Sequence, residues 1–467
     1  MIRLFAPLLL ASCSLAAETA KTPEIAPSAI APAKLSAKPN IVVILIDDMG
    51  VHDGSTFGSK YFKTPQLSRL AAEGTLFTQG YAACAVCSPT RAALLTGKAP
   101  ARLHITDWIP GEGAPKDAKF KIPKWQQSLP ESELTLAEAL HQRGYRSANI
   151  GKWHLGSLPT EHGFDLNIGG GHNGHPGSYF WPYGKDGDSY QVKGLQQGGK
   201  EGEYLTDRLT DEAIKFIESS KDQPFFLYLP HYAVHTPLAG KKELVDEAKP
   251  IAPADGQKNA VYHAMVSSVD QSVGRLLDTL ERLKLSDNTI VIFTSDNGGY
   301  LGATGNAPQR LGKGFAYEGG LRVPLIIKAP GLTKPGSTSA VPVITTDFMP
   351  TLLALADAGG EVKRPAFDGL DVSAALKGEI KPIHDQLCWH YPHYWHGGKV
   401  SPYSVIRRGD LKLIRFYEKG TEELYDLAAD PSETTDLAAT KPEARTDLAT
   451  RLDAWLKETG AQLPEKK

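Results

Sequence analysis

After its first residue, the run from Asn40 to Ile46 is aliphatic or β-branched throughout, and it stops abruptly at Asp47-Asp48. A continuous apolar run without polar alternation is the pattern of a strand covered on both faces, as in a mostly parallel sheet. The same design recurs where Thr289 to Thr294 leads into Asp296-Asn297-Gly298-Gly299. Pro224 to Leu229 and Val323 to Ile327 are two further candidate strands. Helical patterns lie between them. One opens with Thr64-Pro65 as N-cap and first helical residue and stops near Gly74; others span Leu134 to Arg143 and Tyr262 to Leu283. Strands alternating with helices predict a doubly wound α/β sheet, whose ligands bind beyond the carboxyl ends of the strands. Asp47, Asp48, Asp296 and Asn297 are therefore expected together at one edge.

With 467 residues the chain exceeds one small core. After about residue 375 the texture changes to short strand-like runs (Ser404 to Ile406, Leu411 to Phe416, Glu423 to Leu427), then a helix from about Glu443 to Glu458. The expected organisation is a large α/β domain over 40–375 and a smaller antiparallel sheet plus helix over 376–467. Residues 1–17 read as an export signal: Arg3, an apolar core from Leu4 to Leu10, then small residues. Leu10-Ala11-Ser12-Cys13 resembles a lipobox that would place a lipid on Cys13; ordinary cleavage after Ala16 or Ala17 is the alternative. The protein is thus expected to be exported, either periplasmic or an outer-membrane lipoprotein, with no other membrane attachment. Residues 18–39, rich in Ala, Pro and Lys, read as a flexible tether. The net charge of -2 argues against nucleic acid as a partner, so any anion site must be built locally. The three cysteines beyond the leader cannot form a disulfide framework.

Four short segments carry chemistry. Cys87-Ser88-Pro89-Thr90-Arg91 continues to Leu94-Leu95-Thr96-Gly97. Gly151-Lys152-Trp153-His154-Leu155-Gly156 puts Lys152 and His154 on one side if the segment is an extended strand, because side chains alternate with period two. His235-Thr236-Pro237 follows the third candidate strand; His231, four residues earlier, lacks that context and ranks below His235. Lys313 lies in Gly312-Lys313-Gly314, upstream of Glu318-Gly319-Gly320. Asp47, Asp48, Asp296 and Asn297 form an all-oxygen set suited to Ca²⁺, with Mg²⁺ as second choice. Arg91, Lys152 and Lys313 supply three positive charges for one oxyanion.

These motifs resemble the type I formylglycine-dependent sulfatases, arylsulfatase-like enzymes of the alkaline phosphatase superfamily. The resemblance spans roughly residues 38–437, and takes in Thr106-Asp107-Trp108-Ile109-Pro110-Gly111, His162-Gly163-Phe164-Asp165 and Leu424-Tyr425-Asp426-Leu427. The family usually has Ser or Ala where this chain has Thr90. The resemblance implies an alkaline phosphatase-like catalytic domain that hydrolyses sulfate esters. A formylglycine-generating maturation enzyme would oxidise Cys87 to formylglycine; one hydroxyl of the hydrated aldehyde attacks sulfur, and deprotonation of the other expels sulfate. It also implies Ca²⁺ held by Asp47, Asp48, Asp296, Asn297 and the modified Cys87, with Asp296 as base for the attacking hydroxyl. Lys152 would bind the sulfate, His154 the second hydroxyl, and His235 and Lys313 the bridging oxygen and the sulfate. Exported bacterial relatives suggest a sulfated polysaccharide or oligosaccharide as substrate. A phosphoester or phosphonate-ester hydrolase of the same superfamily is the alternative, as is a non-catalytic glycan binder if Cys87 stays unmodified. Candidate substrate residues are His172 and His175, in the Gly-His-rich stretch from Gly170 to Tyr183, and His390 and His393, in the cluster His390 to His396. For the second cluster an apolar seam between domains is the competing reading.

Overall fold

The computed structural model describes residues 35–36, 38–185, 187–356 and 366–467. The export signal, Cys13 and most of the tether lie outside them. In chain order the strands are β1 (Asn40–Ile46), β2 (Thr75–Tyr81), β3 (Phe120–Lys121), β4 (Arg146–Ile150), β5 (Leu166–Ile168), β6 (Phe225–Pro230), β7 (Thr289–Ser295) and β8 (Arg322–Lys328). They continue with β9 (Ser337–Ser339), β10 (Val343–Ile344), β11 (Leu387–Tyr391), β12 (Tyr403–Arg408), β13 (Leu411–Phe416), β14 (Thr421–Asp426) and β15 (Glu465–Lys466). The large sheet runs β10-β2-β8-β7-β1-β6-β4-β5, with β9 on β2. β1 is parallel to both β6 and β7, while β8 is antiparallel to β7 and β2, so the sheet is mixed but mostly parallel.

The double-sided burial read from β1 is seen directly. Val42, Ile44 and Ile46 pack with helices Leu205–Ser220 and Ala260–Arg282 on one face. Ile41, Val43 and Leu45 pack with Cys87–Thr96 and Phe348–Ala356 on the other. Each such side chain contributes roughly 1.5–3 kcal/mol of burial free energy. The helix Pro65–Glu73 begins where expected, but Thr64 makes no side-chain cap bond. Asp270, from helix Ala260–Arg282, accepts the free N–H groups of Gln66 (3.1 Å) and Leu67 (2.8 Å) instead. The next helix is shorter than its periodicity predicts, Leu136–His141, because Thr135 and Glu138 form a capping box there.

The second sheet has the order β11-β12-β13-β14 and carries helix Pro442–Glu458 through Ile406, Leu413, Leu424, Leu448, Leu452 and Leu456. Its other face (Trp389, Tyr391, Tyr403, Val405, Ile414) shares a core with Tyr81, Ala85 and Val86 of the large domain. A buried charged triad spans that junction: Lys412 on β13 contacts Glu318 at 2.9 Å and Glu433 at 2.8 Å. The described residues, from Leu35 onward, form one unit. No helix among the described residues is long and apolar enough to cross a membrane.

Candidate active site

The register of the two central strands, with Ile46 beside Ser295, sets Asp47-Asp48 next to Asp296-Asn297 at the carboxyl edge. Asp48 has a left-handed backbone (φ 63°), and its N–H donates to Asp296 Oδ1 at 3.2 Å. Cys87 is the first residue of helix Cys87–Thr96, with Sγ 3.7 Å from Asp47 Oδ1. One turn on, Arg91 donates to Asp296 Oδ2 from Nη2 (2.7 Å) and Nε (3.0 Å). Lys152 Nζ lies 2.6 Å from Asp47 Oδ2. Lys313 Nζ lies 2.7 Å from Asp48 Oδ1 and 3.5 Å from Cys87 Sγ. Three buried carboxylates thus face three buried cations around one thiol. Thr90, where the resemblance expects Ser or Ala, accepts from the Cys84 N–H and donates to the Cys84 carbonyl, both at 3.0 Å. It locks the turn that presents Cys87.

Lys152 and His154 reach the site by a route the sequence did not suggest. They do not lie on an extended strand: β4 ends at Ile150, and His154 has φ 60°. The turn is made by Gly151, at φ 123°, where an added Cβ would sit 2.1 Å from the Pro230 carbonyl oxygen. His154 Nε2 lies 2.5 Å from the Ile109 carbonyl. A carbonyl only accepts, so Nε2 carries the proton and the buried, unpartnered Nδ1 is a free base. In His235, Nδ1 faces the Thr236 carbonyl at 2.7 Å, which leaves Nε2 directed at Asp48 Oδ2, 3.5 Å away. His231 points elsewhere, buried against Ser272.

The electrostatics follow from burial. Burial pushes the Asp47 carboxyl up to about 7, with the neighbouring carboxylates adding to it against Lys152 and Arg91. Burial would also raise Asp48, but Lys313, then His235 and Lys152, hold it well below the usual carboxylate range. Burial pushes the Cys87 thiol up to about 12 despite Lys152 and Lys313. His154 and His235 are both held well below the usual imidazole range, chiefly by burial, with Lys152 acting on the first and Lys313 on the second.

The donor set fits a hard divalent cation. Ligand atoms of Asp47, Asp48, Cys87 and His235 all lie within 4.8 Å of one another. Asp296 borders this group through the Asp48 N–H, and Asn297 donates to Asp48 Oδ1 at 2.8 Å while its own Oδ1 is buried without a partner. An unpaired buried amide oxygen beside these carboxylates offers a further oxygen ligand of the kind a hard cation takes.

A cavity of about 470 Å³ opens above these groups, lined by Asp48, Cys87, His154, His235 and Lys313 at its floor. His172 and His175 line its wall, and His175 stacks between Tyr190 (centroids 4.2 Å apart) and His235 (6.0 Å). His390 and His393 do not line it. His390 is buried in β11, bonded to Ser404 Oγ (2.7 Å) and the Gln462 carbonyl (3.0 Å). His393 is fully buried, with Nε2 on Thr106 Oγ1 at 2.8 Å. The competing reading of that cluster, a seam between domains, describes His393, which reaches Thr106, but not His390, whose partners Ser404 and Gln462 both belong to the C-terminal region. Its neighbour Trp395 does line the cavity, as do Trp108 and Tyr300, which the sequence reading passed over. Gly174 approaches so closely that a Cβ there would lie 2.7 Å from the His154 ring.

The sulfatase family model matches residues 39–358, and an N-sulphoglucosamine sulphohydrolase C-terminal model matches 310–462. A sulfatase of Formosa agariphila is 34% identical, covering 90% of this chain and 89% of that protein. The N-acetylgalactosamine-6-sulfatase of Homo sapiens is 34% identical over 76% of this chain and 72% of its own. Among solved structures, Ps i-CgsB in complex with k-i-k-neocarrahexaose superposes with a TM-score of 0.75 at 31% identity, covering 90% and 93% of the two chains. These matches run through both sheets and across every segment that meets at Cys87, and by them the chain belongs to the sulfatase family of sulfate-ester hydrolases.

Proposed function

We propose that this sulfatase releases inorganic sulfate from a sulfated polysaccharide or oligosaccharide, using Cys87 in its formylglycine form and a Ca²⁺ ion. The observation that carries this reading is the convergence of Cys87 Sγ with Asp47 and Lys313 at the joined ends of β1 and β7. Asp47, Asp48, Asp296, Asn297 and the modified Cys87 would hold the cation, which when bound supplies positive charge to the sulfate and to the attacking oxygen. The hydrated aldehyde supplies that oxygen without a thiol–sulfate adduct. With the cation in place, Lys152 and Lys313 turn from their carboxylates toward sulfate oxygens. Arg91 stays on Asp296 and fixes that carboxylate as base. The free Nδ1 of His154 accepts the proton whose loss expels sulfate. His235, neutral in the free protein with its proton on Nδ1, gains basicity from the arriving negative charge, takes up a second proton from solvent on Nε2 and passes that one to the leaving alcohol. A sugar substrate is supported by the aromatic and histidine walls of the cavity, by His172 and His175, and by the oligosaccharide held by the related Ps i-CgsB. A formylglycine-generating enzyme is the implied maturation partner, and the division at residue 375 and export, to the periplasm or to the outer membrane if Cys13 is lipidated, remain part of the proposal.

The test is peptide mass spectrometry of active protein together with sulfate release from defined sulfated saccharides. Conversion of Cys87 to the aldehyde, activity lost on chelation and restored by Ca²⁺, and abolition in Cys87→Ala are expected. Full activity with an unmodified thiol refutes the mechanism.

A further inference from the structure

The segment that leaves the cavity at Pro110 carries Lys116, Lys119, Lys121 and Lys124, all exposed. It forms β3, which among the described residues pairs with β15 alone, with Lys121 beside Glu465 and Phe120 beside Lys466. The Lys119 N–H donates to Glu418, which brings Lys419 to the same place. The four lysines, Lys419 and Lys466 share the ribbon with the carboxylates Asp117, Glu418 and Glu465, and with Lys467, whose N–H donates to the Lys119 carbonyl at 2.8 Å. Among the described residues none of the six ammonium groups has a carboxylate within 4.0 Å; Lys119 Nζ reaches only the Glu418 carbonyl, and Lys419 lies over the Phe416 ring. Elsewhere some surface lysines are paired, as Lys242 is with Asp246 and Lys241 with Asp207, and others, such as Lys221, Lys284 and Lys334, stand singly without a carboxylate partner among the described residues. In a chain of net charge -2, an unpaired cationic strip is a local departure.

The strip adjoins the site. Phe120 N–H donates to Tyr394 Oη at 3.3 Å, and the next residue, Trp395, lines the cavity. Lys116 follows Pro110 by six residues, so it lies at most about 20 Å from the cavity lining. A cavity of about 470 Å³ is near the lower end for small-molecule sites, roughly 300–1,000 Å³, and encloses only a short part of a polymer. The rest of a sulfated chain must cross the rim, and its repeating anions match exposed, unpaired ammonium groups there.

We propose that this lysine ribbon is an anchoring site for sulfated units that flank the one being hydrolysed. The proposal rests on the sulfated-glycan reading given above. The experiment compares the wild type with Lys116→Gln/Lys121→Gln/Lys124→Gln, and with a control, Lys221→Gln/Lys284→Gln/Lys334→Gln, whose positions flank strands at the opposite edge of the sheet. Binding to dextran sulfate, neutral dextran and a DNA oligonucleotide is measured at low and high salt, and turnover is measured on a small aryl sulfate. The wild type is expected to bind dextran sulfate with salt-weakened affinity and to ignore dextran. The ribbon variant should bind about tenfold more weakly with a shallower salt dependence, the control should bind like wild type, and all three should hydrolyse aryl sulfate alike. Equal binding by the ribbon variant, an equal loss in the control, or preference for DNA overturns the assignment. Turnover of aryl sulfate but of no sulfated saccharide overturns both the substrate reading and this one; patch-independent binding with normal saccharide turnover overturns the ribbon alone.

Discussion

Gly174 shows how much of the site lies between residues rather than in them. Its α-carbon replaces a side chain against the His154 ring, and Gly174→Ala would push a methyl to 2.7 Å from that ring. The expected result is a loss of kcat of at least about tenfold with the unfolding midpoint nearly unchanged, since the methyl disturbs an imidazole and not the core. Steady-state kinetics beside thermal unfolding check this; an equal fall in both would assign Gly174 to packing. The acidic pairs were legible in the sequence because they follow strand ends, and Cys87 and Arg91 because the segment from Cys87 to Gly97 resembles the family's signature. Lys152 and His154 were found for the wrong reason: a strand of period two was expected, whereas Gly151 turns the chain and His154 adopts a left-handed backbone. Gly174 carried no local signal at all, since its partner is twenty residues away in sequence.

Two elements make predictions of their own. β11 was read as part of a histidine cluster because three aromatic or histidine residues in a row mask strand alternation. Its burial lowers His390 to about 4, and burial just beyond it lowers His393 to about 3. The unfolded chain binds protons at about 6.5, so this stability is complete above 6.5 and is lost as pH falls toward 3–4. Each histidine contributes up to about 1.4 kcal/mol per pH unit in that window. His390→Gln and His393→Gln should each flatten the acid limb of stability against pH; profiles parallel to wild type would contradict the assignment. The helix Pro65–Glu73 makes the second prediction. Its cap comes from Asp270, more than 190 residues away, which no local pattern could reveal. Asp270→Ala should cost about 1 kcal/mol and speed hydrogen exchange in the first turn of that helix; Thr64→Ala, with no cap bond to lose, should leave that exchange unchanged.

At the scale of the molecule, the parallel core and the later antiparallel sheet were both legible from hydrophobic texture, but their joint was not. The Lys412 triad lies in that joint, and Lys412 is fully buried between Glu318 and Glu433. Lys412→Met would take from both buried carboxylates their ion-pair partner, leaving Glu318 only the more distant Arg407 and Arg322, at a cost of about 3–5 kcal/mol. Thermal unfolding should show a large drop, and Lys412→Met/Glu318→Gln/Glu433→Gln should recover most of it. The site itself spans this whole assembly, from Asp47 to Lys313 in sequence, and exists only once β1 has paired with β7. In the folded chain Cys87 is only 2% exposed, at the floor of the cavity, where a small ester can reach it but the segment around it is fixed in helix Cys87–Thr96. On the mechanism proposed above, its oxidation therefore has a deadline: the maturing enzyme competes with sheet closure, and a molecule that folds first is stable, complete in outline and permanently without its nucleophile.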